Sequence, residues 1–212
     1  MIYLEETISL SPASPETLDS FVKFAQAQFV PVSRRLGARL VAAWTSNAEL
    51  YAQVTHVVEF DDIEALKAFR VKSSQNADWG KYMAGLEEFA PQRRTRLLEP
   101  LGPVPPETLH TAIADSQKTP LQAYFLAILE VSNMPAFVAE LKERSKVLPI
   151  AASWRPVVFN RNQVIDLWKG PVRQSSYEPA TEPSKEFFRM LRPIAPHEYV
   201  VPVFTLPYSP LR

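Results

Sequence analysis

The chain has 212 residues, enough for one large domain or two small ones. Its 23 basic and 23 acidic residues balance, which argues against a nucleic-acid partner, and the absence of cysteine excludes disulfides, thiolate metal sites and a cysteine nucleophile. No run of 18 apolar residues occurs, so we expect no membrane span, and Glu5 and Glu6 stand where a secretory signal would have basic residues. Together with the absence of cysteine, this favours a cytoplasmic protein. Neither G-x-G-x-x-G nor a Walker loop is present, so nucleotide binding through those motifs is not expected.

The first half of the chain predicts the element order β-α-β-β-α-β. A weakly alternating strand at 2–10 is followed by a helix with Ser14 as its N-cap. Pro31 is expected to kink or interrupt this helix, which ends near Gly37. The other predicted elements are strands at 39–45 and 51–60, a helix from 63 that is broken by S-S-Q-N-A-D and continues over 79–86, and a short strand at 95–98.

A proline-bearing linker at 101–118 is predicted to separate a first unit, 1–100, from a second, 119–212. The second unit predicts similar elements, except that a polar loop replaces one helical segment. They are a strand at 123–131, a helix at 136–147, paired strands at 151–159 and 162–169, a loop at 171–183, a short helix at 184–191, a strand at 199–205 and a tail at 207–212.

The two halves share a faint repeat. A shift of 110 positions aligns Gln53-Val54 with Gln163-Val164 and Ala43-Trp44 with Ser153-Trp154, and therefore places His56 opposite Asp166. Two strand-like segments in one register indicate a diverged tandem duplication. The predicted fold class is therefore α+β, with two ferredoxin-like repeats.

Three stretches resemble the NIPSNAP family when taken in order. The start I-Y-L-E-E-T-I-S-L is similar to its opening strand, and Q-V-T-H-V-V-E-F-D-D followed by a helix and A-D-W is similar to its central motif. The final L-P-Y-S-P-L-R is similar to its F-S-P-L tail. The resemblance touches both ends and the middle of the chain. It implies the dimeric α/β-barrel superfamily of antibiotic-biosynthesis-type monooxygenases, in which two ferredoxin-like sheets close a barrel.

The sequence departs from the family pattern at four positions. Glu6 replaces the arginine of the opening strand, Val58 replaces a tryptophan and Ala77 replaces a proline. The second repeat carries Asp166 where the first has His56. These departures leave the implied fold intact but put any shared activity in doubt.

His56 is a candidate catalytic residue. In related barrels the aromatic residue before the turn points inward, and carrying this over to Phe60 places His56 inside the lumen as well. A lumenal imidazole could act as a general acid or base. The structural alternative is a buried histidine that only supports the fold or faces the helices, and His56 is also the one plausible axial ligand if the barrel binds haem.

Asp166 is the second catalytic candidate, because it stands alone among apolar neighbours and a buried carboxylate needs a partner or a raised pKa. Symmetry would let it meet His56 across the lumen, or let the two residues bracket one ligand from opposite sides. Alternatively, a nearby arginine such as Arg155 or Arg161 caps it. The candidate substrate-binding residues are Trp44, Trp154, Trp168, Tyr3, Tyr124 and Phe60, although most strand tryptophans are simply core.

The leading hypothesis is an enzyme that needs no cofactor or metal. It would act on an apolar or aromatic biosynthetic substrate in the lumen, by cyclisation, isomerisation or cofactor-free oxygenation. The alternatives are a non-catalytic binding or interaction protein and a haem-binding barrel. The three histidines show no metal-ligand spacing. A homodimer of the whole chain is also conceivable.

Overall fold

The computed structural model describes residues 1–47, 51–170, 179 and 181–212, and of residues 183 and 184 only the backbone. Unit 1 contains β1 (Ile2–Ser9), α1 (Pro15–Phe24), a π-helical turn (Ala25–Phe29), α2 (Val30–Leu36), β2 (Arg39–Ser46), β3 (Gln53–Phe60), α3 (Ile63–Ser74), α4 (Ala77–Phe89) and β4 (Gln92–Pro100). After α5 (Pro106–Ser116), unit 2 contains β5 (Ala123–Glu130), α6 (Met134–Arg144), β6 (Ile150–Pro156), β7 (Gln163–Lys169), α7 (Glu182–Leu191) and β8 (His197–Thr205). The predicted α+β class and both β-α-β-β-α-β units are confirmed. Most of the predicted loop at 171–183 lies outside the described residues.

The eight strands form one closed barrel in the order β1-β3-β2-β8-β5-β7-β6-β4. Each unit supplies a four-stranded sheet, β4-β1-β3-β2 and β8-β5-β7-β6, with the same internal order. The sheets join at two short seams, where β2 pairs with β8 and β4 pairs with β6. The chain therefore closes within itself the barrel that two separate ferredoxin-like subunits would form.

The strand pairing preserves the repeat of 110 positions. His56 pairs with Ala43 in unit 1, and Asp166 pairs with Ser153 in unit 2. Both pairings contain an irregularity at the same place, between Leu40 and Ala42 in β2 and between Ile150 and Ala152 in β6. Conserved strand register and bulge position fit two copies of one ancestral unit.

The chain after each unit crosses to the other unit. The amide of Leu101 donates to the carbonyl of Ser153 at 2.8 Å, and the amide of Leu206 donates to the equivalent carbonyl of Ala43 at 2.9 Å. Each leucine also begins a turn. The amide of Val104 donates to the carbonyl of Leu101, and the amide of Ser209 donates to the carbonyl of Leu206. These two crossings tie the units together beyond the barrel seams.

Two helical details differ from simple expectation. Residues 25–29 form a π-helical turn just before Pro31, so the helix continues to Leu36 despite the missing proline N–H, and Gly37 closes it at a φ of 93°. The predicted linker also contains a helix, α5. Its Leu109 and Ala112 are buried, and the proline signals around residue 106 mark its start rather than a disordered segment.

Two glycines of α4 provide a paired test of how tightly this helix packs against α1 within unit 1. A Cβ on Gly85 would stand 2.6 Å from Cε2 of Phe24, whose ring stacks on Tyr82, whereas a Cβ on Gly80 would meet nothing within 4 Å. We therefore expect Gly85→Ala to lower the free energy of unfolding by about 1–3 kcal/mol. Gly80→Ala should raise it by up to about 1 kcal/mol through helix propensity. Urea denaturation of both variants measures the difference, and equal effects would show that the ring yields freely.

Candidate functional site

The two faces of the barrel wall carry different clusters. One apolar cluster draws residues from all eight strands and so fills the interior. Two others join the outer faces of the sheets to the helices, one in each unit. An apolar strand side chain can therefore be assigned to the lumen or to a helical layer by the cluster in which it packs.

The four predicted lumen aromatics lie inside the barrel. Tyr3, Trp44, Tyr124 and Trp154 are each at most 2% exposed, and the rings of Tyr3 and Trp154 meet edge to face at 5.6 Å between centres. Among the described residues these side chains fill the interior instead of lining an accessible pocket. Burial raises the pKa of both tyrosines to about 12, so both stay neutral.

The predicted lumenal position of His56 and Phe60 is wrong. Phe60 packs on Phe69 of α3, and the His56 ring stacks on Phe29 at 4.5 Å with 8° between the planes. Both side chains therefore point outward into the helical layer of unit 1. Every residue of β3 is buried. The sequence of this strand therefore lacks the alternation of apolar and polar residues that would distinguish its two faces.

His56 is sealed where it lies. It is fully buried, its Nε2 lies 2.7 Å from the hydroxyl of Tyr208, and its Nδ1 has no hydrogen-bond partner in the described part of the chain. Burial lowers the pKa of His56 to about 3, so the ring is neutral at physiological pH. The stacked Phe29 and the bound Tyr208 leave no room for haem on this imidazole, so these residues do not fit a haem site.

The Tyr208 contact can be tested by removing one oxygen atom. Tyr208→Phe keeps the ring but leaves Nε2 of His56 without its partner in an apolar core. We expect the free energy of unfolding to fall by about 1–3 kcal/mol, measured by chemical denaturation. An unchanged stability would mean that the hydrogen bond contributes nothing net.

Asp166 also faces outward, into the helical layer of unit 2. It is 3% exposed, and its Oδ1 accepts a hydrogen bond from the Ser153 hydroxyl at 2.5 Å. Ser153, and not Arg155 or Arg161, is thus its close partner, while Arg155 pairs with Glu99. Because His56 and Asp166 lie in the outer layers of different units, they do not meet across the lumen.

A cavity of about 690 Å³ lies beside Asp166, between the outer face of the unit 2 sheet and helices α6 and α7. Its volume suits a small-molecule ligand. Its walls are mainly apolar and aromatic, and the predicted pocket residue Trp168 is among them. The lining includes Phe125, Ala127, Leu129, Phe137, Leu141, Ile150, Trp168, Phe187, Phe188, Met190, Leu191 and Val200.

The described helices over the unit 2 sheet are shorter than the helices over the unit 1 sheet. In unit 1, helical structure runs for 22 residues from Pro15 to Leu36, whereas α6 has 11 residues. Between the last two strands, unit 1 has two helices of 12 and 13 residues, and the described part of unit 2 has one of 10. Among the described residues, the space that aromatic rings fill in unit 1 corresponds to a cavity in unit 2.

The carboxyl of Asp166 is poised to exchange a proton near neutral pH. Burial raises its pKa from 3.8 to about 7; the Ser153 hydrogen bond opposes that rise, and the negative charge of Glu198 adds to it. A carboxyl with a pKa near 7 in an apolar cavity can give or take a proton at physiological pH.

Trp168 contributes an unused donor next to Asp166. It stands two residues along β7 and therefore on the same outer face. Its indole Nε1 is buried and has no hydrogen-bond partner within the described ranges. An indole N–H can only donate, and the described residues around it offer no acceptor.

Two ion pairs form a polar edge to the cavity. Arg144 pairs with Glu140 at 3.3 Å and lies over the ring of Phe187, 5.7 Å from its centre. Arg192 lies 4.7 Å over Phe188 and pairs with Glu198. These arginines are about a third exposed or more, so they border solvent while the aromatic walls lie deeper.

Sequence reasoning singled out Asp166 and Trp168 but missed the rest of the site. Ser153 could have been found from the repeat. It aligns with Ala43, which pairs with His56, so Ser153 is expected to pair with Asp166. The residues from α6 and α7 carried no signal beyond an amphipathic pattern. In the described parts of the chain there is no group of three or more metal-binding side chains, and no helix is long and apolar enough to cross a membrane.

Comparison with known proteins agrees with this architecture. The NIPSNAP family model matches residues 12–102, so the resemblance is confirmed over unit 1. A candidate monooxygenase from Fusobacterium nucleatum covers 97% of this chain and 92% of its own, with 10% identity and a TM-score of 0.58. One from Lactobacillus acidophilus covers 96% and 93%, with 11% identity and a TM-score of 0.57. An anthrone oxidase-like protein covers 96% and 90%, with 8% identity and a TM-score of 0.50.

The chain thus has the fold of a dimeric-type α/β barrel, and residues 12–102 of its first half match the NIPSNAP family model. The likeness to solved structures is one of fold, because the identities are low. No curated protein matches the sequence.

Proposed function

We propose that the protein binds a small aromatic molecule in the unit 2 cavity and that Asp166 transfers a proton to or from it. The observation that carries this proposal is a buried carboxyl, with its pKa raised to about 7, on the wall of a 690 Å³ aromatic cavity. A solvated aspartate is fully ionised at neutral pH and is a weak base. Asp166, with its raised pKa, is a stronger base.

Removal of a proton from a bound substrate is the step common to the reactions expected from the sequence. Cyclisation and isomerisation can begin with it, and so can cofactor-free oxygenation, in which the deprotonated substrate passes electrons to dioxygen. The distant structural relatives named for monooxygenase or oxidase activity favour the last of these. Ser153 would hold the carboxyl in place, and His56 has no part in this chemistry.

A simple test substrate can reveal the base. In 5-nitrobenzisoxazole a base takes the single acidic C–H proton, the N–O bond breaks, and a coloured phenolate is released. We expect the wild-type protein to accelerate this opening with a rate that rises through about pH 7, as Asp166 ionises. Asp166→Asn should lower the rate at pH 8 by about 100-fold or more.

The matched control is Asp19→Asn, the same chemical change on the exposed face of α1. This variant should keep the wild-type rate. A rate that is equal in wild type and Asp166→Asn would refute Asp166 as the base, whatever the effect of pH.

The alternative is a binding protein without catalysis. It is favoured by the interior aromatics, which are packed instead of accessible, and by the sealed position of His56. Saturable binding of an aromatic ligand in the cavity, without any proton transfer to Asp166, would support this reading over the first.

A further inference from the structure

The internal repeat indicates what kind of ligand the unit 2 cavity takes. In unit 1 the position equivalent to Asp166 is His56, and the protein itself supplies the groups that surround it. The phenolic hydroxyl of Tyr208 lies 2.7 Å from Nε2 of His56, and the ring of Phe29 stacks on the imidazole. A phenol and an aromatic face thus already occupy this position in one unit.

In the part of unit 2 that the structure describes, the hydrogen-bond partner of Asp166 is the Ser153 hydroxyl and not a phenol. Tyr208 is the third residue of the turn that begins at Leu206, and the equivalent turn begins at Leu101. The third residue of that turn is Pro103, which has no side chain able to reach Asp166 as the tyrosine reaches His56. Asp166 borders the cavity instead.

Trp168 adds an independent constraint on the missing group. The indole Nε1 is a buried donor without a partner among the described residues, and Asp166 can accept a hydrogen bond on the same face of β7. A hydroxyl group has one hydrogen to donate and lone pairs to accept. It can therefore satisfy the aspartate and the tryptophan at once, which an ether, an amine cation or a bare ring cannot do.

We propose that the cavity binds an aromatic alcohol of the phenol or naphthol type, whose hydroxyl donates to Asp166 and accepts from Nε1 of Trp168. The aromatic body of the ligand packs among Phe125, Phe137 and Phe187. This inference rests on the proposed function in that it uses the same cavity, and it names the substrate class.

Calorimetric titration with two matched ligands tests it. In 2-naphthol the hydroxyl can donate and accept, whereas 2-methoxynaphthalene has the same rings and can only accept. We expect wild type to bind the naphthol at least 10-fold more tightly than the ether, the usual scale for a hydrogen bond to a carboxylate. Asp166→Leu should abolish the preference, and Trp168→Phe should weaken the binding of both ligands about 5-fold or more.

Ala127→Phe serves as the control for location. Ala127 pairs with Asp166 across β5 and β7 and lines the cavity, so the added ring should fill the space and remove binding of both ligands. Equal affinities for naphthol and ether in wild type would overturn the phenolic class while leaving an aromatic site in place. If neither ligand binds, the proposed aromatic function fails together with the inference.

Discussion

Asp166→Asn should abolish a loss of stability that the wild-type protein suffers between about pH 4 and pH 7. Folded Asp166 keeps its proton up to about pH 7, whereas the unfolded chain releases it near the ordinary value of 3.8. The folded state therefore binds more protons in this window, and stability falls as pH rises. Three pH units at about 1.4 kcal/mol each give a total on the order of 4 kcal/mol.

The measurement is urea denaturation of both proteins at several pH values, with the difference in unfolding free energy taken at each. The two should be nearly equal at pH 4, and the asparagine variant should be the more stable above pH 7. The difference also cancels the contribution of His56, which is the same in both proteins. The lowered pKa of His56 acts in the opposite sense, because it removes stability as pH falls below about 6.5. A difference that stays flat across the range would show that Asp166 is ionised throughout.

Deletion of residues 206–212 should have an effect of similar or greater size. Leu206, Tyr208 and Leu211 are each at most 9% exposed; the first two pack in the helical layer of unit 1, and the third packs in the barrel interior. Burying each such side chain contributes about 1.5–3 kcal/mol. The sum is comparable with the whole stability of a typical domain.

We therefore expect the truncated protein to be largely unfolded at 37 °C, as measured by circular dichroism and by protease sensitivity. Tyr208→Phe, which retains the tail and its apolar contacts, is the control and should remain folded. A truncated protein that unfolds at the wild-type temperature would mean that the C-terminal tail and its crossing at Leu206 do not stabilise the fold.

Much of the fold was visible in the sequence because it rests on local signals. The N-cap Ser14, the left-handed Gly37 and the β-branched run of β3 each predict their element alone. The alignment at a shift of 110 positions then indicated that the two sets of elements are copies of one unit. Helix α5 was missed because its prolines were interpreted as a linker, although Leu109, Ala112 and Ser116 recur at helical spacing.

The site was only partly predictable. Asp166 stood out as a charge among apolar neighbours, and such a residue demands a structural explanation wherever it lies. Its surroundings depend on the space between the sheet and the helices, and the described helix α6 is shorter than the helical run over unit 1. The orientation of His56 and Phe60 was missed because both faces of β3 are buried, so no hydrophobic alternation distinguished lumen from helical layer.

The ligand site is proposed to lie on the outer face of the unit 2 sheet and not in the lumen. A crystal structure with 6-bromo-2-naphthol tests it most directly, because the anomalous signal of bromine locates the ligand. One peak is expected between β7 and helices α6 and α7, with the naphthol oxygen within hydrogen-bonding distance of Asp166. A peak inside the barrel beside Trp44 or Trp154, or no peak at a saturating concentration, would contradict it.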